Sequence, residues 1–359
     1  MMINNVNLKV VTWNANSIKH KLNEFKDFLY TNNYDVAGIC ETKIDNTFSL
    51  EIPGFSTYNC NRNSRGGGVA IAIKNNIKHS NLNVKIDSDI EAVGIKIATN
   101  VSELIILQVY IPPNVKLNYS KLNELFCHHN MIIMGDLNCR KREWNCVTDN
   151  YNGKILLNYC IDHNIEISAP LTNTNFPPRG SPSIIDIFLL KSKTKHSVPL
   201  TKNQLSSNHS PVEIKIYTDF DSTQKCKNYD FKKADWTNFK NEINNLINLK
   251  FYLNTKEQVE NKVKELIKII TESANKHIPV KSENLHTSDL PIWLKAIIKL
   301  KNNIRRKSQL IPSYSNKQKY KSIVKLVQYE INKFHSKKLH QYLENLKTRN
   351  DSLWKALKK

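Results

Sequence analysis

The chain has 359 residues, 40% of them hydrophobic and 24% charged, with a net charge of +21, so it can bury a sizeable core in one large domain or two smaller ones. No run of about 18 apolar residues occurs, and the N-terminal Met1–Val11 lacks the apolar stretch of a signal peptide, which argues against a membrane-spanning helix or a secretory leader. Seven cysteines, scattered without a C-x-x-C pair and odd in number, read as free thiols in a reducing compartment and exclude a disulfide framework or a thiolate zinc site.

The charge is uneven: residues 1–218 carry 23 Lys and Arg against 18 Asp and Glu, and residues 219–359 carry 30 against 14. That asymmetry points to a polyanionic partner, with a solvated Lys-rich surface as the plainer alternative.

In chain order, Leu8–Trp13 reads as a first strand ending at Asn14, residues 18–33 carry helical apolar spacing, and residues 34–40 form a second strand followed at once by Glu41. Gly66-Gly67-Gly68 leads into a strand over 69–73; without a following Lys-Ser/Thr the glycines read as a hairpin turn sooner than a phosphate loop. Residues 92–98 and 104–110 form a hairpin, the second strand ending in Tyr110 before Pro112-Pro113. A short helix over 120–128 precedes the apolar run Met131–Met134, which ends in Gly135-Asp136-Leu137-Asn138. A helix over 154–163, a strand over 184–190 holding Asp186, a loop with Asn208 and His209, and a closing strand over 212–217 follow. Strands outnumber helices, and hairpins mix with crossovers. The expected fold is therefore α/β, two mixed sheets face to face with helices outside.

After residue 217 the character changes. Residues 219–234 read as a linker, and 235–359 as a basic helical region with helices over 235–249, 257–277, 293–310 and 317–346. Those helices are either a bundle with a solvated Lys face or an arm that holds nucleic acid.

Polar residues recur at the strand ends: Asn14, Glu41, Tyr110, Asp136, Asn138, Asp186, Asn208 and His209. Each has a dull explanation alone, but together their types suit hydrolysis of a phosphodiester. Hard oxygen donors suit Mg2+ (with Mn2+ as a substitute), and Glu41 is the expected principal ligand. His209 is expected as general base or phosphate partner, oriented by Asp186. Asp136 would position or deprotonate the attacking water. Asn138, Tyr110 and Asn14 can bond phosphate oxygens or metal-bound water. The basic loop 191–205, with Lys191, Lys193 and Lys195, is expected to enter a DNA groove.

These segments resemble the endonuclease/exonuclease/phosphatase superfamily, in order and spacing over residues 8–217. The matching pieces are Thr12-Trp13-Asn14, Glu41-Thr42-Lys43, Val109 to Pro113, Gly135-Asp136-Leu137-Asn138, Ser183 to Asp186, and Ser207-Asn208-His209-Ser210-Pro211. Trp144, Asn152-Gly153 and Pro177-Pro178-Arg179-Gly180 are similar to the endonuclease of jockey-like non-LTR retrotransposons. The stretch 235–359, with Leu353-Trp354-Lys355 near its end, resembles the region joining that endonuclease to its reverse transcriptase.

The resemblance implies a DNase I-like four-layer sandwich followed by the basic helices. It implies a Mg2+-dependent enzyme that nicks double-stranded DNA and leaves a 3′-hydroxyl to prime reverse transcription, in the nucleus after cytoplasmic synthesis. Element RNA is a further expected partner for the helices, and a membrane is not. One departure stands out. The family has Ser-Asp-His where this chain has Ser207-Asn208-His209, and the Asp is a metal-side residue there. Asn208 keeps the shape and one acceptor oxygen but not the charge, so weaker metal binding, slower chemistry or an inactive DNA-binding remnant are the implied consequences. A cellular abasic-site endonuclease or a phosphatase on the same fold is the other reading.

Overall fold

The structure, a computed structural model, describes residues 7–45, 47–62, 66–82, 84, 89–99, 102–218, 229–231, 233–247, 255–279 and 290–346. Most of the expected linker, the break before Pro291 and the segment Leu353-Trp354-Lys355 lie outside these.

Thirteen strands are present among the described residues. They are β1 (Asn7–Asn14), β2 (Val36–Cys40), β3 (Phe55–Cys60), β4 (Val69–Lys74), β5 (His79–Leu82), β6 (Glu91–Ala98), β7 (Glu103–Tyr110), β8 (Met131–Asp136), β9 (Glu166–Ser168), β10 (Asp186–Lys191), β11 (Lys195–His196), β12 (Leu200–Thr201) and β13 (Val212–Tyr217). The helices are α1 (Leu22–Asn32), α2 (Tyr119–Leu125), α3 (Tyr151–Asp162), α4 (Trp236–Leu246), α5 (Lys256–His277), α6 (Ile292–Leu310) and α7 (Tyr314–Glu344).

One sheet runs β11-β13-β1-β2-β4-β3, with β12 also on β13; the other runs β5-β6-β7-β8-β10-β9. Side chains alternate across each strand, so each strand feeds two cores. In β1, Leu8 and Val10 enter the layer between the sheets, where Ile71, Ile95, Ile106, Ile132, Met134 and Ile214 also sit. Val11 and Trp13 point the other way, onto Phe25, Phe28 and Leu29 of α1. In β8, Met131 and Ile133 pack with Leu122 of α2 and Leu156 and Tyr159 of α3. The result is four layers, helix–sheet–sheet–helix, as the strand pattern led one to expect. The strands β3, β5, β9, β11 and β12 were not foreseen; β3 is mostly half-buried, β5 half-exposed, and both lack the apolar alternation that marks a strand.

The chain divides into two compact units, residues 1–221 with 286–359, and residues 222–285. This departs from the expected separate helical region 235–359, because α6 and α7 belong to the first unit. The physical reason lies in two buried cations of α6. Lys301 is 0% exposed, pairs with Glu24 of α1 and lies 3.3 Å from Ser206 Oγ. Arg305, 1% exposed, donates to backbone carbonyls of the loop before β13. Leu294 of α6 packs with Val327 and Ile331 of α7, so the two helices share a small core of their own.

In the second unit α4 and α5 are joined by Glu242, which bonds Lys276 at 2.7 Å and also His277. Asp235 caps α4 by accepting from Asn238 N, and Thr255 and Gln258 form a capping box at the start of α5. The expected apolar stripe of α5 forms but stays open: Val259, Val263, Leu266, Ile267 and Ile270 are all at least 40% exposed.

Candidate active site

The two sheets place their polar strand ends at one edge. Asn14 pairs in register with Cys40, the residue before Glu41. Tyr110 and Asp186 each pair with Asp136 from opposite sides. The loop 205–211 enters the same edge because β13 runs antiparallel to β1 and begins beside Thr12.

The backbone here is held in unusual conformations. Asn16, Ser17, Glu41, Lys43 and Asn138 all have positive φ, between 44° and 78°. Such angles cost of order 1–3 kcal/mol each for most residues and gather at functional sites. Gly135 is required by contact: a Cβ there would lie 1.9 Å from the Val109 carbonyl oxygen. At Gly38 a Cβ would stand 1.7 Å from Gln108 Oε1 and would push that side chain out of its place. Gln108 thereby reaches across the layer between the sheets, accepting from Thr12 Oγ1 at 3.1 Å and donating to Cys40 Sγ at 2.9 Å.

Asn14, fully buried, is the hub. Its amide donates to Glu41 Oε1 at 2.9 Å and to Asp136 Oδ2 at 2.8 Å. Both amide hydrogens are thus used on carboxylates, so Asn14 arranges the site and has none left for a phosphate, contrary to one of its expected roles. Its Oδ1 accepts from Asn16 N at 2.9 Å. Glu41 also pairs with Lys43 at 2.9 Å. Burial works against its charge, but the bonds from Asn14 and Lys43 and the Lys43 charge hold its carboxyl below the usual range. Tyr110 bonds Glu41, and burial followed by the charges of Glu41 and Asp136 pushes its phenol well up, so it stays protonated.

His209, 4% exposed, bonds Asp186 Oδ2 through Nδ1 at 2.8 Å, and its Nε2 stands 3.8 Å from Asp136 Oδ2. Burial disfavours the imidazolium, yet the charges of Asp186 and Asp136 outweigh it and lift His209 to about 9. Asp136 goes up to about 7, chiefly through burial, with Asp186 adding and His209 opposing. Near neutral pH the imidazole is therefore charged, which suits a phosphate partner better than a general base. Asp136 is the group whose proton affinity matches base work.

Asn138 keeps only part of its donor capacity, because its amide donates to the Ile111 carbonyl at 2.9 Å. Asn208 turns to the side. It accepts from Asn16 Nδ2 at 3.3 Å and donates to Asn175 Oδ1 at 3.2 Å. The expected DNA contacts Lys191, Lys193 and Lys195 are not brought here. Asp186 opens β10 opposite Asp136, whereas Lys191 closes it opposite Met131, five residues and about 16 Å along the strand. Lys195 pairs with Tyr217, at the end of β13 remote from the site.

The donor set fits a hard divalent cation. Asp136, Asp186 and His209 bring one ligand atom each within 4.8 Å of one another, and Asp186 Oδ1 is buried without a hydrogen-bond partner among the described residues. The His209–Asp186 bond explains two members of that group. Glu41 is tied to this group through Asn14, which donates to both Glu41 and Asp136.

Several residues that shape the site were not singled out from the sequence. Lys43 and Asn16 bond each other at 2.6 Å beside Glu41. Thr174 Oγ1 accepts from the backbone of Asp186 at 3.2 Å. Glu91 accepts from Gly68 N, and the Gly67 and Gly68 carbonyls accept from Lys43 N and Thr42 N. The glycines sit in the β3–β4 hairpin connection and brace the Glu41 loop. Asn152 and Gly153 are structural. Asn152 bonds Leu117 N and the Val115 carbonyl, and a Cβ at Gly153 would meet the Arg140 carbonyl oxygen at 2.1 Å.

A family model described as endonuclease-reverse transcriptase matches residues 104–213, which hold Tyr110, Asp136, Asn138, Asp186, Asn208 and His209. The endonuclease domain of TRAS1, a telomere-specific non-LTR retrotransposon, superposes with a TM-score of 0.51 at 17% identity, over 59% of this chain and 99% of that domain. The chain shares the fold of this endonuclease domain. The curated relatives agree. The chain is 25% identical over 276 residues to the probable RNA-directed DNA polymerase from transposon BS of Drosophila melanogaster, covering 74% of this chain and 30% of that protein. It is 23% identical over 366 residues to the RNA-directed DNA polymerase from mobile element jockey of Drosophila funebris, covering 98% and 40%. The chain thus spans 30% to 40% of the length of these relatives.

Proposed function

We propose that the chain is a Mg2+-dependent DNA endonuclease that nicks double-stranded target DNA and leaves a 3′-hydroxyl able to prime reverse transcription, acting in the nucleus. The observation that carries this reading is the single buried constellation in which Asn14 ties Glu41 to Asp136 while Asp186 holds His209 beside them.

Each side chain then has a task. Glu41 would be the principal ligand of the cation, which when bound neutralises charge on the phosphoryl group and the departing oxygen. His209, kept charged by Asp186, donates from Nε2 to a non-bridging phosphate oxygen and stabilises the charge that builds in the transition state. Asp136 receives the proton of the attacking water. Tyr110, protonated, is a further hydrogen-bond donor at the same edge. The water's oxygen forms the new bond to phosphorus, the bond to the 3′-side sugar oxygen breaks, and that oxygen takes a proton from solvent water to leave as the 3′-hydroxyl, while Asp136 later returns its proton to solvent.

The DNA has a second surface to follow. A groove of about 410 Å3 starts at Ser207 and Asn208, runs past Phe176, Pro177 and Pro178, and is closed by Lys317 and Lys321 of α7. It offers apolar walls for a base or sugar and two cations for phosphates.

Asn208 supports a weakened form of the same function. Its amide faces Asn175 and Asn16, so no carboxylate stands there to assist cation binding. The deciding experiment is nicking of supercoiled plasmid with Mg2+, alongside Glu41→Ala and His209→Ala. Nicking lost in both variants supports the endonuclease. DNA binding without any nicking, in folded wild-type protein, favours a retained fold without chemistry.

A further inference from the structure

We infer that Arg305 of α6 is a positioning residue for the loop that carries His209, so that a helix following the nuclease sandwich completes its active site. The inference rests on the endonuclease reading above.

The sandwich holds the loop 204–210 chiefly over Ser207 to Ser210: Ser207 Oγ donates to the Asn14 carbonyl at 2.8 Å, the Asn208 carbonyl accepts from Phe176 N at 2.9 Å, and Ser210 N donates to the Thr174 carbonyl at 2.7 Å. Leu205 is at φ 65°, and the segment lies between the two short strands β11 and β12 and the start of β13. Arg305 reaches it with both terminal nitrogens. Nη1 donates to the Gln204 and Leu205 carbonyls, the latter at 2.8 Å. Nη2 donates to the His209 carbonyl at 2.9 Å and to Ser210 Oγ at 3.1 Å. One planar, buried fork thus closes the loop at its two ends and sets the distance between them, a task suited to guanidinium geometry and not to a single ammonium. The His209 carbonyl it holds also accepts from Trp13 Nε1 at 3.3 Å. The catalytic imidazole therefore hangs from a backbone fixed on one side by β1 and on the other by α6.

A second contact shows that the arrangement extends along the helix. Four residues earlier on α6, Lys301 bonds Ser206 Oγ at 3.3 Å, and the Ser206 hydroxyl donates to Glu24 Oε2 at 2.7 Å. Between them sits Asn302, whose carbonyl accepts from Asn203 Nδ2 at 2.8 Å. Contacts from two buried cations of α6 to this one loop, with a third α6 residue bonded at Asn203 just before it, go beyond what attaching a helix requires. A helix docked only for stability would meet the sheet with apolar side chains, as Leu294 meets Val327 and Ile331.

The test uses the full chain with Arg305→Gln, Arg305→Lys and the control Leu294→Ala, which loosens the α6–α7 core without touching the loop. Two quantities are read: plasmid nicking at varied DNA concentration, and amide hydrogen exchange over residues 204–210. For Arg305→Gln the expected result is a fall in kcat of about 10- to 100-fold with KM within about twofold, as for a displaced catalytic group. Exchange in the loop should rise at least about tenfold in the same variant. Arg305→Lys should keep the fold and part of the exchange protection but still lose rate, and it serves if the Gln variant does not fold. Leu294→Ala, compared at equal loss of Tm, should change neither. Unchanged kcat in a folded Arg305 variant, or equal effects in Leu294→Ala, overturns the inference. If wild-type protein does not nick at all, the endonuclease reading fails by itself, and the exchange data alone decide whether Arg305 holds the loop: unchanged protection overturns it, and a selective loss supports it.

Discussion

Replacing either member of the Glu24–Lys301 pair should unfold much of what joins α6 to the sandwich, whereas replacing both should not. The ammonium is 0% exposed and the carboxylate side chain 4% exposed. In Glu24→Gln the ammonium keeps an amide oxygen and the Ser206 hydroxyl but no counter-charge. In Lys301→Met the carboxylate keeps only the Ser206 hydroxyl, at 2.7 Å. Removing one partner of a buried ion pair costs about 3–5 kcal/mol, because the survivor is left charged in a dry site. Exchanging both for neutral groups of similar volume costs far less, about 1 kcal/mol, or even stabilises. With about 3 kcal/mol for each single change and about 1 kcal/mol or less for the double, the cycle should show coupling of about 5 kcal/mol or more. Urea unfolding followed by tryptophan fluorescence measures it; at about 3 kcal/mol/M each single variant loses about 1 M in midpoint. Additive single effects, or losses under about 0.5 kcal/mol, would refute the reasoning and mean that the pair is solvated and that α6 is held by other contacts.

Four further outcomes are expected. Asp186→Asn should keep DNA binding and lower the nicking rate by about 10²- to 10⁴-fold, as loss of an imidazole-orienting carboxylate does, and a filter-binding assay beside the nicking assay separates the two. Asn208→Asp should raise nicking or lower the Mg2+ concentration needed for half-maximal rate; a titration showing no shift in either would sink the weakened-site reading. Lys317→Glu with Lys321→Glu should weaken DNA binding and reduce the slope of log affinity against log salt by about 2, read from binding isotherms at several salt concentrations. Glu213 titrates below its ordinary value of 4.5 because, against the burial that opposes it, bonds from Lys202 and Tyr34 and the charges of Lys202 and Lys9 favour the carboxylate. Its contribution to stability is complete above the unfolded value and is lost as pH falls through the folded one, so Glu213→Gln should flatten the acid limb of a Tm-versus-pH curve and lower Tm near neutrality.

The strand-end chemistry was legible because the polar side chains sit at the ends of strongly apolar strands, Asn14, Tyr110 and Asp136 closing β1, β7 and β8, Glu41 following β2, and Asp186 opening β10. Met131–Met134 before Gly135-Asp136 shows the pattern at its clearest, and the strand's burial forces the next polar residue to the sheet edge. Closing-strand and helix bounds also came close, as in β13 and α5. What the sequence concealed was direction and pairing. Lys191, Lys193 and Lys195 follow Asp186 closely in sequence, but a strand carries them away at about 3.3 Å per residue, so proximity in the chain became distance in space. Asn14 was read as a phosphate contact because a type does not reveal which partner takes its hydrogens. Lys301 and Arg305 lie in a helix so basic that every cation looks solvated; Glu24, the partner that gives Lys301 away, is 277 positions earlier. Asn208 was visible as an exception, but its turn toward Asn175 was not.

The return of α6 to the sandwich makes the nuclease unit discontinuous, with residues 222–285 as an insert between its two pieces. Synthesis therefore cannot finish the catalytic loop when β13 emerges. Translation at about 5–20 residues per second would leave the His209 loop without its last anchor for several seconds, until Arg305 has been made and released. During that interval the strands are complete and the loop is not, so a nascent chain carrying all of the sandwich would still be slow to cut. A fragment ending near residue 218 would stay in that state permanently, and recombination that transplanted the sandwich alone would carry the catalytic residues while leaving behind the helix that holds one of them in place.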